Sequence, residues 1–217
     1  MAELPFDPTL DDVRRALNLP GFEHEAAWQR MSPRPRLMRR PGDWAGQARR
    51  GEVLILLYPG EGTLSFVLTR RTETVATHKG QIALPGGSQE PGDLHPGDAA
   101  LREACEELGV CRAQVELLGR LAPLYVVVSD FEVHPFVAYT PCRPAFRADP
   151  TEVAEVLEMS LRDLLNDACK AEERWQVGGF ELDVPFYRLG AYAVWGATAI
   201  ILSELEQRLR AALSVEP

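Results

Sequence analysis

Apolar and polar positions change their period several times along the chain, and each change predicts an element. Two apolar runs, EVLILLY at 52–58 and LSFVLTR at 64–70, flank the turn Pro59-Gly60-Glu61-Gly62 and read as strands. Upstream, Thr9 is placed to cap a helix running to about Asn18, which Leu19-Pro20-Gly21 ends, and a second short helix covers 23–31. The segment SPRPRLMRRPGDW holds too much proline for a helix or a central strand. A helix is expected at LREACEELGV, followed by strands at 115–118, 121–128, 133–139 and 154–159. A helix capped by Ser160, a strand pair across Gly178-Gly179 and a last helix over 192–213 complete the order. Strands flanked by helices predict an α/β fold with a mixed sheet between helical layers. Residues 1–49 read as a helical, Pro- and Arg-rich extension packed on a domain spanning 50–217.

At 217 residues and 46% hydrophobic content, one well-buried domain is expected. The start MAELPFDPTL has no charged region ahead of an apolar core, so no signal peptide is expected. The longest apolar stretch, 191–202, is short of the roughly 18 to 20 residues of a membrane span. Cys105, Cys111, Cys142 and Cys169 form no C-x-x-C pair or zinc spacing. Free thiols in a reducing cytoplasm are the simplest reading, with Cys105 on a buried helix face. A formal charge of −9 argues against nucleic acid as the main partner. Seven arginines between Arg30 and Arg50 face the single acid Asp43. That cluster is either solvated surface or a phosphate-attracting rim beside an acidic pocket.

The acidic pocket is expected on the central helix. Glu103, Glu106 and Glu107 stand at i, i+3 and i+4 and fall within roughly a 100° arc, while Leu101, Ala104, Cys105 and Leu108 take the opposite side. Glutamates on a helix face are ordinarily solvation. Here they come with Gly87, Arg102 and Gly109 at fixed spacing, and three convergent carboxylates repel one another unless hard cations occupy them.

Residues 87–110, GGSQEPGDLHPGDAALREACEELGV with its leading glycine, resemble the Nudix box, G-x5-E-x7-R-E-U-x-E-E-x-G-U, where U is apolar. Asp93 stands where the first Glu is expected, and one extra residue precedes Arg102; loops absorb such length at little cost. The preceding stretch LTRRTETVATHKGQIALPGG is similar to the segment ahead of the box in the coenzyme A pyrophosphatase branch, through Thr69, Arg71, Thr72, His78, Gly80, Gln81, Leu84, Pro85, Gly86 and Gly87. VWGATAIIL at 194–202 resembles that branch's W-G-A-T-A segment, with Ile200 where Arg is frequent.

The resemblance implies a Nudix-like α/β/α sandwich and a diphosphatase using Mg2+ or Mn2+. Glu106 and Glu107 are the leading metal ligands, Glu103 is the third, and the Gly87 carbonyl joins them by family likeness. Arg102 is implied to orient a helix carboxylate by a forked hydrogen bond. The general base stays open among Glu103, Glu152, Glu155 and His78, whose imidazole titrates near neutrality. Arg70, Arg71 and Lys79 are candidates to read a 3′-phosphate; His78 and Gln81 belong to the substrate loop, and apolar residues near Trp195 suit a pantetheine arm. The implied substrate is coenzyme A or a derivative. The alternatives are another nucleoside diphosphate derivative, such as ADP-ribose or NADH, or a silent ligand-binding domain. No nucleic-acid or membrane partner is expected, and the chain acts as a monomer or homodimer.

Overall fold

The computed structural model describes residues 7–35, 49–72, 80–127 and 129–214. Helix α1 (Leu10–Leu17) starts where Thr9 predicts, because Thr9 Oγ1 accepts from the Asp12 N–H while Asp12 returns a bond to the Thr9 N–H, a reciprocal cap. After α2 (His24–Arg30) come β1 (Arg49–Pro59), β2 (Leu64–Arg71), β3 (Ile82–Ala83), β4 (Gly86–Ser88) and α3 (Asp98–Leu108). Then follow β5 (Glu116–Arg120), β6 (Leu124–Val126), β7 (Phe131–Tyr139), β8 (Val153–Ser160) and α4 (Leu161–Leu165). The chain continues through β9 (Lys170–Val177), β10 (Phe180–Leu189), β11 (Tyr192–Val194) and α5 (Gly196–Ser214).

Eight strands form one mixed sheet, ordered β3-β2-β1-β7-β5, with β4 also pairing β1, β6 pairing β7 and β8 pairing β2. Among the described residues of this sheet only the β1–β7 pair is parallel; the other pairings are antiparallel. β1 explains why its sequence is a continuous apolar run, since both of its faces are covered. Leu54, Leu56 and Tyr58 pack with Ala100, Leu101, Ala104 and Leu108 of α3. Ile55 and Leu57 point the other way, into a cluster with Leu202, Leu205 and Leu209 of α5 and Val13 and Ala16 of α1. Each such leucine contributes on the order of 2 kcal/mol over leaving it in water. The expected α/β sandwich is therefore present. β9, β10 and β11 form a separate antiparallel sheet. Gly178 and Gly179, with φ of 58° and 84°, make the two-residue turn between the first two strands.

Three expectations are corrected. The last helix begins at Gly196, because 192–194 pairs with β10 and Gly196 turns the chain at φ 64°. Within 121–127 the strand expected over 121–128 shrinks to β6, since Pro123 interrupts it and the Ala122 N–H donates to Glu204 Oε1 at 3.1 Å, while residue 128 lies outside the described residues. Cys105 and Cys111 are joined in a disulfide, leaving only Cys142 and Cys169 free, and Cys105 is half-buried instead of packed in the core. The physical reason lies in Gly109, whose left-handed backbone reverses the chain at the helix end and brings the two Cα atoms to 4.4 Å. Among the described residues no helix is long and apolar enough to cross a membrane.

The N-terminal helices are held on α5 by a buried polar network. Ser203 Oγ donates to the Ala27 carbonyl at 2.7 Å, and the fully buried Glu204 accepts from Trp28 Nε1 at 3.0 Å and Arg208 Nε at 2.9 Å. Removing one partner strands the others without water. Glu204→Ala is therefore expected to lower unfolding free energy by roughly 3 kcal/mol. Urea denaturation monitored by tryptophan fluorescence checks this; an unchanged midpoint would show that the network contributes nothing.

Candidate active site

α3 has no side-chain cap of its own, since its N-cap is Gly97 at φ 91°. Glu52 of β1 supplies the missing acceptor. Its buried carboxylate takes the N–H groups of Ala99 at 3.1 Å and Ala100 at 3.4 Å, where a negative charge is favoured by the helix dipole. The same strand pairs Glu52 with Gly87 and Val53 with Gly86, so β4 and α3 are fixed to one ruler. A side chain at Gly86 would strike the backbone of Glu52 and Val53, and one at Gly87 would strike the Glu103 carboxylate. Glu52 was missed in the sequence; its only signal is an acid opening an otherwise apolar strand.

The three helix carboxylates occupy different environments. Glu106 is exposed and Glu103 half-buried, whereas the side chain of Glu107 is only 3% exposed, with Oε2 lacking any hydrogen-bond partner. Burial pushes the Glu107 carboxyl up to about 8, with Glu103 and Glu152 adding to the rise while Arg71 and the Gly86 N–H oppose it. Burial also raises Glu103, against the pull of Arg102. Arg102 reaches Asp93 through Nε at 3.3 Å and Nη2 at 3.2 Å, and gives Nη1 to Glu103 at 2.9 Å and Glu106 at 3.2 Å. A further bond from Nη2 to the Ser88 carbonyl, 3.0 Å long, ties it to β4. The fork expected of Arg102 is thus on Asp93, and the lengthened loop still delivers that residue.

The remaining candidates separate into two groups. Arg71 stands beside Glu107, with Nη1 3.7 Å from Oε1, and its backbone N–H donates to the Gln81 carbonyl at 3.0 Å. Glu152 is exposed, and its charge adds a minor contribution to the rise that burial imposes on Glu103 and Glu107. Arg70 and Glu155 lie apart: Arg70 Nε donates to Glu155 Oε2 at 3.2 Å, and the Tyr192 hydroxyl donates to the same oxygen at 2.5 Å. That hydroxyl, seconded by Arg70, holds the Glu155 carboxyl below its ordinary range. His78 and Lys79 lie outside the described residues, as do Arg36, Arg39 and Arg40 of the arginine cluster. Of the rest of that cluster, Arg34 pairs with Glu172 and Arg49 covers the Phe131 ring at 4.3 Å.

Among the described residues no three His, Cys, Asp or Glu side chains gather tightly enough to enclose a cation. As placed, Arg102 stands between Glu103 and Glu106, and Glu107 turns toward Arg71. The donor chemistry nonetheless fits a hard divalent ion, because all three are carboxylates and a buried carboxylate oxygen without a partner is an acceptor short of positive charge.

The profile of the family described as NUDIX domain matches residues 48–177. The chain is 34% identical over 146 residues to the protein named uncharacterized Nudix hydrolase NudL from Photorhabdus laumondii, covering 67% of this chain and 78% of that one. It is 32% identical over 199 residues to chloroplastic Nudix hydrolase 22 of Arabidopsis thaliana, covering 88% and 61%. In fold it is similar to a MutT/nudix family protein from Enterococcus faecalis, with a TM-score of 0.54 at 16% identity over 95% of this chain and 76% of that one. A MutT protein from Methanosarcina mazei Go1 gives 0.51 at 18% over 80% and 100%. The family match and the relatives named Nudix hydrolase make the chain a hydrolase of phosphorus-containing acid anhydrides. The chain belongs to the NUDIX family.

The position of Glu107 sets a pH dependence. Its folded-state value near 8 lies above the ordinary 4.5, so the folded protein keeps a proton that the unfolded chain has lost. The corresponding stability is complete below 4.5 and is lost as pH rises through about 8. Thermal melting without added metal should therefore fall between pH 5 and 9 and fall less in Glu107→Gln. Adding Mg2+ at pH 8 should raise the melting temperature of the wild type by several degrees and leave Glu107→Gln nearly unmoved. Equal metal response in both proteins would remove Glu107 from the cation site.

Proposed function

We propose that the chain hydrolyses the diphosphate of coenzyme A or a derivative, with Mg2+ or Mn2+, to 3′,5′-ADP and 4′-phosphopantetheine. The supporting observation is that the two segments resembling the coenzyme A branch, far apart in sequence, meet beside the carboxylates. The Thr198 hydroxyl at the start of α5 donates to the Ile82 carbonyl at 3.2 Å, while Arg71 binds the Gln81 backbone and faces Glu107. Trp195 adjoins this wall and meets Trp175 edge-on at 5.6 Å, an apolar surface suited to the pantetheine arm.

Hydrolysis forms a bond from a water oxygen to phosphorus as the bridging P–O bond breaks, and the water's proton must go to a base. Glu103, Glu106 and Glu107 would hold a divalent cation, which when bound would supply neutralisation of the phosphate oxygens and a more acidic water. Arg102 holds Glu103 and Glu106 in orientation. Glu152 takes the proton: it is exposed and its charge reaches Glu103 and Glu107, whereas Glu155 is occupied by Arg70 and Tyr192. For the 3′-phosphate, Arg71 stands beside the metal-ligand candidate Glu107 and Arg70 is engaged by Glu155, which leaves Lys79, outside the described residues, as the candidate cation.

Two outcomes are expected. Product analysis across coenzyme A, dephospho-coenzyme A, ADP-ribose and NADH should show coenzyme A cleaved with the highest kcat/KM; faster cleavage of ADP-ribose would reject this substrate. Glu106→Gln and Glu152→Gln should each lower kcat by about 10²-fold or more, while Glu155→Gln stays within about threefold of wild type. A wild-type rate for Glu152→Gln would return the base to the other candidates.

A further inference from the structure

Arg71 and Glu107 are neighbours that do not complete one another. A guanidinium and a carboxylate that settle as partners close to about 2.7–2.9 Å, commonly through two parallel bonds. Here the nearest approach is 3.7 Å, and each side chain keeps a buried atom with no hydrogen-bond partner, Nε on Arg71 and Oε2 on Glu107. The pair is nevertheless well shielded, with side chains 23% and 3% exposed, so the guanidinium charge acts on whatever occupies the Glu107 carboxyl with little screening by water. Arg71 is held there by its backbone: it ends β2 at a register shift against β8 and donates its N–H to Gln81. Carboxylate oxygens suit a hard cation and a guanidinium fork suits phosphate, so each unmatched group has its natural ligand in a metal-bound diphosphate.

We infer that Arg71 couples the two ligands, standing over the Glu107 carboxyl until a divalent cation takes that group in place of its proton and then binding a phosphate of the substrate. The inference rests on the diphosphate reading above for the chemistry of that substrate. It gives Arg71 opposite effects on the two ligands. Its positive charge beside Glu107 weakens cation binding to the protein alone, and the same charge, released from Glu107, strengthens binding of the diphosphate. An arginine that merely supported the local fold would weaken both when removed.

The test measures Mn2+ binding to the nucleotide-free protein by electron paramagnetic resonance of free Mn2+, then binding of ADP, supplied as its Mn2+ complex, to the Mn2+-saturated protein by calorimetry. Arg71→Gln should bind Mn2+ about five- to tenfold more tightly and ADP at least about tenfold more weakly. Arg71→Lys should return Mn2+ affinity towards wild type with ADP affinity between the other two. Unchanged or weakened Mn2+ binding in Arg71→Gln, or undiminished ADP binding, overturns the inference. Should Arg71→Gln fail to fold, Arg71→Lys decides alone: weaker ADP binding with wild-type Mn2+ affinity supports the coupling, and equal ADP binding overturns it. Hydrolysis assays are run separately, so a wild-type protein that cleaves no diphosphate would defeat the proposed function while these binding measurements still judge Arg71.

Discussion

The buried carboxylate of Glu52 at the N-terminus of α3 is the contact on which the site depends. The Asp98 N–H that opens α3 finds the His95 carbonyl, but behind a left-handed glycine the N–H groups of Ala99 and Ala100 have no local side-chain acceptor, and in a water-free setting those donors must be met from elsewhere in the fold. β1 meets them, at a worth of up to about 2 kcal/mol for charge at a partly buried helix end. Because Glu52 and Val53 of β1 receive Gly87 and Gly86 of β4, one dipeptide sets both the height of the carboxylate helix and the position of the glycine turn beside it. Gly87 then has no side chain to push Glu103 away.

Much of the fold was legible because local rules and tertiary demands agree. The Thr9 cap, the apolar runs of β1 and β2, the Ser160 cap and the paired glycines at 178 and 179 each appear where the pattern places them. The spacing of Glu103, Glu106 and Glu107 put them within one arc, but arc geometry says nothing about what lies over that arc. Glu106 faces solvent, whereas Arg71 and the Gly86 backbone come in over Glu107. Residues 192–194 carry the pattern of the last helix because an apolar run before a helix extends it; pairing with β10 makes them a strand instead. The disulfide was illegible for a similar reason, since Cys105 and Cys111 come close only through the reversal at Gly109.

Arg70 and Arg71 show how adjacent positions of one strand acquire separate work. Strand alternation, sharpened by the register shift between them, sends Arg70 to Glu155 and Tyr192 and Arg71 to Glu107. The acids they meet diverge accordingly. Glu155, supplied with a hydroxyl and a guanidinium at bonding distance, is held as an anion; Glu107, deprived of water and reached by Arg71 only at 3.7 Å, is pushed towards its neutral form.

The family match begins at residue 48 and stops at 177, yet the apolar cluster under the sheet respects neither edge. Val13, Ala16 and Met31 enter it from one side, and Val194, Leu202, Leu205, Leu209 and Ala212 from the other. Heredity and cohesion therefore draw different outlines on this chain: a fragment cut to the recognisable family segment would carry the carboxylate helix but leave Ile55, Leu57, Phe66 and Leu68 facing water on the opposite side of its sheet.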